Sequence, residues 1–219
     1  MLARDFFVQY FETRGRDFPW RKEGVSPFHI MVTEMLLRQT HAGAVSKIWE
    51  QFTCYYPDPF TLANANKTKL MQQLKVLGLT TQRTAALIEA SRWLVECNMG
   101  LVPNNLTDLL KIPHIGNYTA RAILCFAFGD YVEIVDVNIL RFFSRYFGLD
   151  VKPDIRRNPL VWELARVALP ADRNKVKQHN YGLLDFTATV CKSRKPECDK
   201  CALSIQCTVY RRIEKRITT

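Results

Sequence analysis

A chain of 219 residues, 47% of them apolar and 24% charged, has room for one large domain or two small ones around a real core. No stretch approaches the roughly 18 uncharged apolar residues of a membrane span, and the opening MLARDFFVQYFETRGRDFPW lacks the apolar run of a secretory leader, so the expectation is a soluble, intracellular, cytoplasmic monomer that makes no use of the membrane. The formal charge is +10 with a pI near 9.4, and residues 151–219 carry 15 Lys and Arg against seven Asp and Glu, a field that attracts polyanions; the competing reading is a basic surface that only keeps the chain in solution.

Apolar residues recur at helical spacing almost throughout, as around Ile30-Met31-Glu34-Met35-Leu37, in Leu70-Leu74-Leu77 and in Ala120-Ile123-Leu124-Ala127. Strand-type alternation is hard to find. Breakers at Pro19, Pro27, Pro57, Pro59, Gly78, Pro103, Pro113, Gly116, Gly129, Gly148, Pro153, Pro159 and Pro170 cut the chain into about ten short helices, which makes the fold class all-α. No repeat or low-complexity linker interrupts it, and the basic tail Arg211-Arg212-Ile213-Glu214-Lys215-Arg216 is expected to fray.

The stretch Leu106-Thr107-Asp108-Leu109-Leu110-Lys111-Ile112-Pro113-His114-Ile115-Gly116-Asn117-Tyr118-Thr119-Ala120-Arg121 reads as helix, tight hairpin, helix. Pro113 and Gly116 set the turn, Gly116 allows close backbone approach, and the following helix opens with free amides. A phosphate fits such a place; an ordinary helical hairpin without a ligand is the alternative. Twenty residues past Gly116, Ile134-Val135-Asp136-Val137-Asn138 sets an acid in apolar surroundings just ahead of an amphipathic helix. Taken alone, Asp136 is best read as an N-cap, its carboxylate accepting from first-turn amides.

Cys191, Cys198, Cys201 and Cys207 follow C-x6-C-x2-C-x5-C, four soft ligands within seventeen residues. Four thiolates suit a structural zinc and a [4Fe–4S] cluster about equally. Disulfides are the weaker reading, because seven Cys is an odd number and intracellular thiols usually serve metals or catalysis. The run Lys192-Ser193-Arg194-Lys195 between the first two ligands is suited to grip phosphates, or else is a solvated charged loop.

That order of hairpin, apolar helix, V-D-x-N and four cysteines resembles the helix-hairpin-helix DNA glycosylases of the endonuclease III superfamily over nearly the whole chain. The resemblance implies a [4Fe–4S] cluster on the four cysteines. It also implies a six-helix barrel with the hairpin at about 27–131, a second helical domain from 1–26 and 132–219 that carries the cluster, and an active site in the cleft between them. The partner implied is double-stranded DNA containing a mismatch, which would place the protein at the nucleoid.

Lyases of that superfamily carry a Lys two residues after the hairpin's last Gly, where this sequence has Tyr118. Without an amine there, imine chemistry lacks its nucleophile, and a monofunctional glycosylase is implied. Phe18-Pro19-Trp20-Arg21 and Thr33-Glu34-Met35-Leu36-Leu37-Arg38-Gln39-Thr40 look like segments of MutY-type adenine glycosylases. Those enzymes, however, have Ser at the Tyr118 position and a further C-terminal domain, whereas this chain ends twelve residues after Cys207. A nearer likeness is to thymine mismatch glycosylases of the MIG type, through Glu34 to Gly43, Leu77-Gly78-Leu79-Thr80-Thr81-Gln82-Arg83, Tyr181-Gly182-Leu183-Leu184-Asp185-Phe186-Thr187-Ala188 and Arg194-Lys195-Pro196. One departure is His114, where the hairpin usually has Gly; its side chain is expected either to crowd a bound phosphate or monovalent cation or to reach the DNA backbone.

The implied roles follow. Asp136, ionised and facing the sugar, would stabilise the oxocarbenium-like state and orient a water. Glu34 would sit on the base side of the pocket, unless it is simply an exposed helical Glu, and Tyr118 would stack on sugar or base, unless it is a core aromatic. The turns at Arg38-Gln39 and Thr80-Thr81-Gln82 would enter the duplex beside the orphaned partner base. A module that binds distorted duplex without cleaving it is the non-enzymatic alternative, against which intact Asp136, Glu34 and Tyr118 argue.

Overall fold

The computed structural model describes residues 5–150 and 159–217, with side chains to residue 212; Pro153, one of the expected breakers, lies outside them. Twelve α-helices and several single turns of 3-10 helix make up the described residues, with no strand among them. Contacts divide the chain into two units, Asp17–Asp130 and Met1–Arg16 with Tyr131–Thr219.

The Asp17–Asp130 unit is built on α2 (Pro27–Leu36), of which eight of ten residues are buried. A helix apolar on all sides belongs at a centre, not on a surface. It starts where it does because Ser26 caps it, the side chain accepting from His29 N, and Pro27 stands where its missing N–H costs nothing. Against α2 pack α3 (Ala42–Tyr55), the nineteen-residue α6 (Thr80–Asn98) and α8 (Asn117–Ile123), which runs on into a π-helical turn at Leu124–Phe128. The short α4 (Pro59–Ala63) and α5 (Lys67–Leu74) lie on α6, each started by a side-chain cap, Asp58 and Asn66. Residues 17–26, which the sequence reading grouped with the C-terminal part, pack here: the turn Pro19–Arg21 lies on α2 and α3, and Trp20 is buried in a stack with Phe18 at 4.6 Å.

The other unit pairs α1 (Phe6–Arg14) with α11 (Val176–Thr189). Gly182 makes that pairing possible, since a Cβ there would lie 1.9 Å from the Phe7 carbonyl oxygen. Gly182→Ala is therefore expected to cost roughly 3 kcal/mol or more, because the obstacle is backbone and cannot swing aside; an unchanged thermal midpoint would contradict this packing. Beside the contact, Phe6, Phe7, Tyr10, Phe142 and Phe186 meet edge to face. Asp185, fully buried on α11, accepts from Arg16 N at 2.8 Å and Arg16 Nε at 2.7 Å, which ties the segment after α1 to the same helix. Helices α9 (Val137–Phe147), α10 (Pro159–Val167) and α12 (Thr208–Ile217) complete the unit, with α9 against α10, α11 and α12. The basic tail expected to fray is helical through Ile217.

Candidate active site

The hairpin lies between the four-residue helix α7 (Leu106–Leu109) and α8, with Ile112 and Ile115 buried beneath it. Its left-handed residue is His114, at φ +65°, while Gly116 has ordinary extended backbone at φ −101°. The sequence assigns the turn to Pro113 and Gly116; its left-handed position is taken by His114, one of the side chains that tolerate this conformation best. A Cβ on Gly116 would meet nothing within 4 Å, so its bareness leaves the approach to the first amides of α8 open. The imidazole of His114 meets α6, its Nε2 2.7 Å from Glu89 Oε2, and the His114 carbonyl accepts from Arg38 Nη1 at 3.2 Å. Tyr118, the second residue of α8, is half-buried.

Two further turns meet the hairpin. Arg38 and Gln39 follow α2, Leu79 and Gln82 open α6, and together with His114 they line one cavity of about 460 Å³ floored by Met35 and Leu87. Thr80 and Thr81 lie on the same turn, Thr81 exposed and Thr80 partly so. Leu79, 49% exposed, is an apolar side chain presented at this rim, and the sequence reading missed it because nothing in a lone Leu marks exposure. Glu34 is only 5% exposed, so it is not the solvated helical Glu that its sequence context also allowed.

Asp136 belongs to the other unit, as the N-cap of α9. Its Oδ1 accepts from Asn138 N at 3.0 Å and Ile139 N at 2.7 Å, and its Oδ2 accepts from Asn138 Nδ2 at 2.7 Å. Burial pushes its pKa above the ordinary carboxylate value, opposed by these bonds and by the charge of Arg141. The cap expected from sequence is thus present, and the carboxylate is held at both oxygens. From there the bonds continue: Arg141 Nη1 donates to Asn138 Oδ1 at 2.8 Å, and Arg141 Nη2 donates to the carbonyl of Cys191 at 2.9 Å. Asn138 and Arg141 carried no role in the sequence reading, since only the folded chain brings Cys191 to α9.

All four C-terminal cysteines are free, and together they line a cavity of about 200 Å³ with Phe142, Tyr146, Leu203 and Val209. Arg145 Nη1 stands 3.6 Å from Cys191 Sγ, and the same guanidinium holds the carbonyls of Lys192 at 2.7 Å and Ser193 at 3.1 Å. Burial raises the pKa of the Cys198 and Cys201 thiols. Among the described residues no three His, Cys, Asp or Glu side chains converge as one metal ion requires. Four thiols around an apolar hollow, with a cation beside them, are a donor set that fits a thiolate-bound metal centre. Of the loop's cations, Arg194 and Lys195 are exposed, whereas Lys192 is taken by Glu197 at 2.6 Å and has less charge to offer a phosphate than the sequence reading gave it.

Residues 32–166 match the sequence profile of the HhH-GPD superfamily of base excision DNA repair proteins. The chain belongs to that superfamily. Among relatives, it is 37% identical over 203 residues to the thymine/uracil-DNA glycosylase of Methanothermobacter thermautotrophicus, covering 93% of this chain and 90% of that protein. It is 32% identical to the thymine-DNA glycosylase of Aeropyrum pernix, over 93% and 92% of the two chains. An adenine DNA glycosylase of Mycobacterium tuberculosis is 32% identical over 90% of this chain but 64% of its own length. The solved structure of a thermostable thymine-DNA glycosylase superposes with a TM-score of 0.87 at 35% identity, covering 95% of each chain. A non-covalent endonuclease III–DNA complex shares the fold, at a TM-score of 0.79 and 20% identity. In HhH-GPD terms, then, the expected site residues fall in two groups. Glu34, Arg38, Gln39, Thr80 to Gln82, His114, Gly116 and Tyr118 belong to the Asp17–Asp130 unit, and Asp136 and the cysteines to the other.

Proposed function

We propose that this chain is a monofunctional DNA N-glycosylase that releases thymine or uracil paired with guanine from double-stranded DNA, the lesions left when 5-methylcytosine or cytosine deaminates. The observation that carries this reading is the likeness to the M. thermautotrophicus thymine/uracil-DNA glycosylase along 93% of the chain. A base inside a duplex is out of reach, so it must be turned out of the stack, at a cost of a few kcal/mol that is lowest for a mispair. Basic side chains, among them exposed Arg194 and Lys195, and the backbone around Gly116 supply affinity for phosphates without sequence information. The turns at Arg38-Gln39 and Leu79-Gln82 enter the gap, with exposed Leu79 as the apolar group that replaces the lost stacking.

As the glycosidic bond breaks, positive charge builds on the deoxyribose and negative charge on the departing base. Asp136 is the anion for the sugar. Both of its oxygens are fixed by donors, so it needs no reorganisation when the charge appears. Glu34, carrying its carboxyl in a buried position, hydrogen-bonds or protonates the base. Tyr118 closes on sugar or base with its ring. Cys191, Cys198, Cys201 and Cys207 would hold a [4Fe–4S] cluster, which when bound supplies structural cross-linking of the C-terminal loops and no chemistry on the base. The hairpin's ligand would be a phosphate, directly or through a monovalent cation.

Tyr118 sets the expected products. Duplexes carrying U:G should lose the base and keep an intact strand that breaks only after alkali, and borohydride should trap no adduct. Tyr118→Lys is expected to gain trapping where its amine reaches the sugar. Efficient trapping by the wild type would contradict the monofunctional reading and point to another amine such as Lys111.

A further inference from the structure

Arg83, the fourth residue of α6, is 6% exposed, and all five of its guanidinium N–H groups are used. Nε donates to the carbonyl of Gly78 at 3.3 Å; Nη1 donates to the carbonyls of Met35 at 3.1 Å and Leu36 at 2.8 Å; Nη2 donates to the carbonyl of Arg38 at 3.1 Å and to Thr40 Oγ1 at 2.7 Å. None of these partners is a carboxylate. A buried cation among neutral groups is costly, and an apolar side chain of similar length would fill the space without that cost. What offsets it is position. Met35 and Leu36 are the last residues of α2, whose carbonyls lack helical partners and form the negative end of the helix dipole.

The acceptors lie in two segments far apart in sequence, 35–40 at the end of α2 and just beyond it, and Gly78 before α6. Each segment holds a non-glycine residue in the left-handed region at the rim of the same cavity, Gln39 at φ +53° and Leu79 at φ +49°. The third such residue at that rim is His114, whose carbonyl accepts from the side chain of Arg38, while Arg83 holds Arg38's own carbonyl. Left-handed backbone costs a side-chain-bearing residue about 1–2 kcal/mol and persists only where the surroundings over-determine it. Here the over-determination runs from one guanidinium into three turns.

We propose that Arg83 is a positioning residue that presets the Arg38-Gln39 turn, the Leu79-Gln82 turn and, through Arg38, the hairpin, and that the rate of base release depends on it although its guanidinium is spent within the protein. The second half rests on the glycosylase reading above. Two variants test it. Arg83→Lys keeps the charge but gathers its donors at one point in place of a fork, and Thr40→Val deletes one acceptor of the five together with that hydroxyl's own contacts to the carbonyls of Arg38 at 3.3 Å and Leu77 at 3.4 Å. Hydrogen exchange of the free protein should quicken in 36–40, 77–82 and 113–116 together in Arg83→Lys, and less so in Thr40→Val, with α3 and α11 still protected. Single-turnover release from T:G duplex, normalised to titrated active sites so that misfolded molecules do not count, should fall about 10²-fold for Arg83→Lys and about fivefold for Thr40→Val. Quickening confined to α6, or loosened turns with wild-type release per active site, would overturn the proposal. Should Arg83→Lys fail to fold, Thr40→Val decides by release per active site and by exchange in 113–116, which the Thr40 hydroxyl does not touch; an unchanged hairpin would overturn the proposal. A wild type that releases no base would defeat the glycosylase reading, and the exchange arm would then decide on its own whether Arg83 holds the three turns.

Discussion

Asp136→Asn is expected to slow base release by about 10²-fold or more while leaving duplex binding intact. Asn is isosteric and keeps an oxygen for the amides of Asn138 and Ile139, so α9 should still be capped. What is lost is the charge. Stability at neutral pH should reflect two opposed changes, the loss of a buried charge and a new contact between the introduced amide nitrogen and Asn138 Nδ2, which donates to Oδ2 in the wild type. Burial raises the pKa of Asp136 in the folded chain; a raised acid contributes stability below its unfolded pKa and loses it as pH rises through the folded one, whereas Asn never ionises. Wild-type release should correspondingly decline on the acid side with a midpoint above the ordinary aspartate value of about 3.9, since only the anion can serve the sugar. Normal release by Asp136→Asn would reduce the residue to the helix cap that its sequence context suggests.

The second large effect is expected at Cys198. The protein should be yellow-brown, with iron and sulfide in equal amounts near four per chain for the proposed cluster, and Cys198→Ser should lose iron, thermal stability and duplex affinity together. These losses are linked because the four thiols line one cavity and Arg145, beside Cys191, also holds the carbonyls of Lys192 and Ser193. Without the cluster, the loop that presents Arg194 and Lys195 loses its fixed end. The hydrogen bonds from Cys191 through Arg141 and Asn138 to Asp136 should carry the damage to that carboxylate as well. A colourless protein with stoichiometric zinc after anaerobic preparation would contradict the cluster.

Features set by local spacing were legible in the sequence. The helical class follows from apolar periodicity, the four-thiol set from C-x6-C-x2-C-x5-C, and the capped acid from V-D-x-N. Harder to read were features that depend on which distant segments meet. Gly116 looked like the residue that turns the hairpin, yet His114 takes the left-handed conformation, held by Glu89 and Arg38 from elsewhere in the chain. Glu34 could have been solvated or buried, because one Glu on an apolar helix does not announce which face is covered. Lys192 looked available to phosphate until the fold set Glu197 beside it. Arg83 shows only as part of a family segment, since four of its five acceptors are backbone carbonyls 5 to 48 residues away and carbonyls leave no trace in a sequence.

The central claim, release of thymine or uracil opposite guanine, is tested most directly by single-turnover base release from otherwise identical duplexes holding T:G, U:G, A:G, A:8-oxoguanine and T:A. The selectivity should come from the lower cost of extruding a wobble-paired base and from contacts to the orphaned guanine by the turns at Arg38-Gln39 and Leu79-Gln82. The predicted result is fast release from T:G and U:G with T:A nearly untouched; faster release of adenine than of thymine would contradict it and assign the chain to the adenine glycosylases.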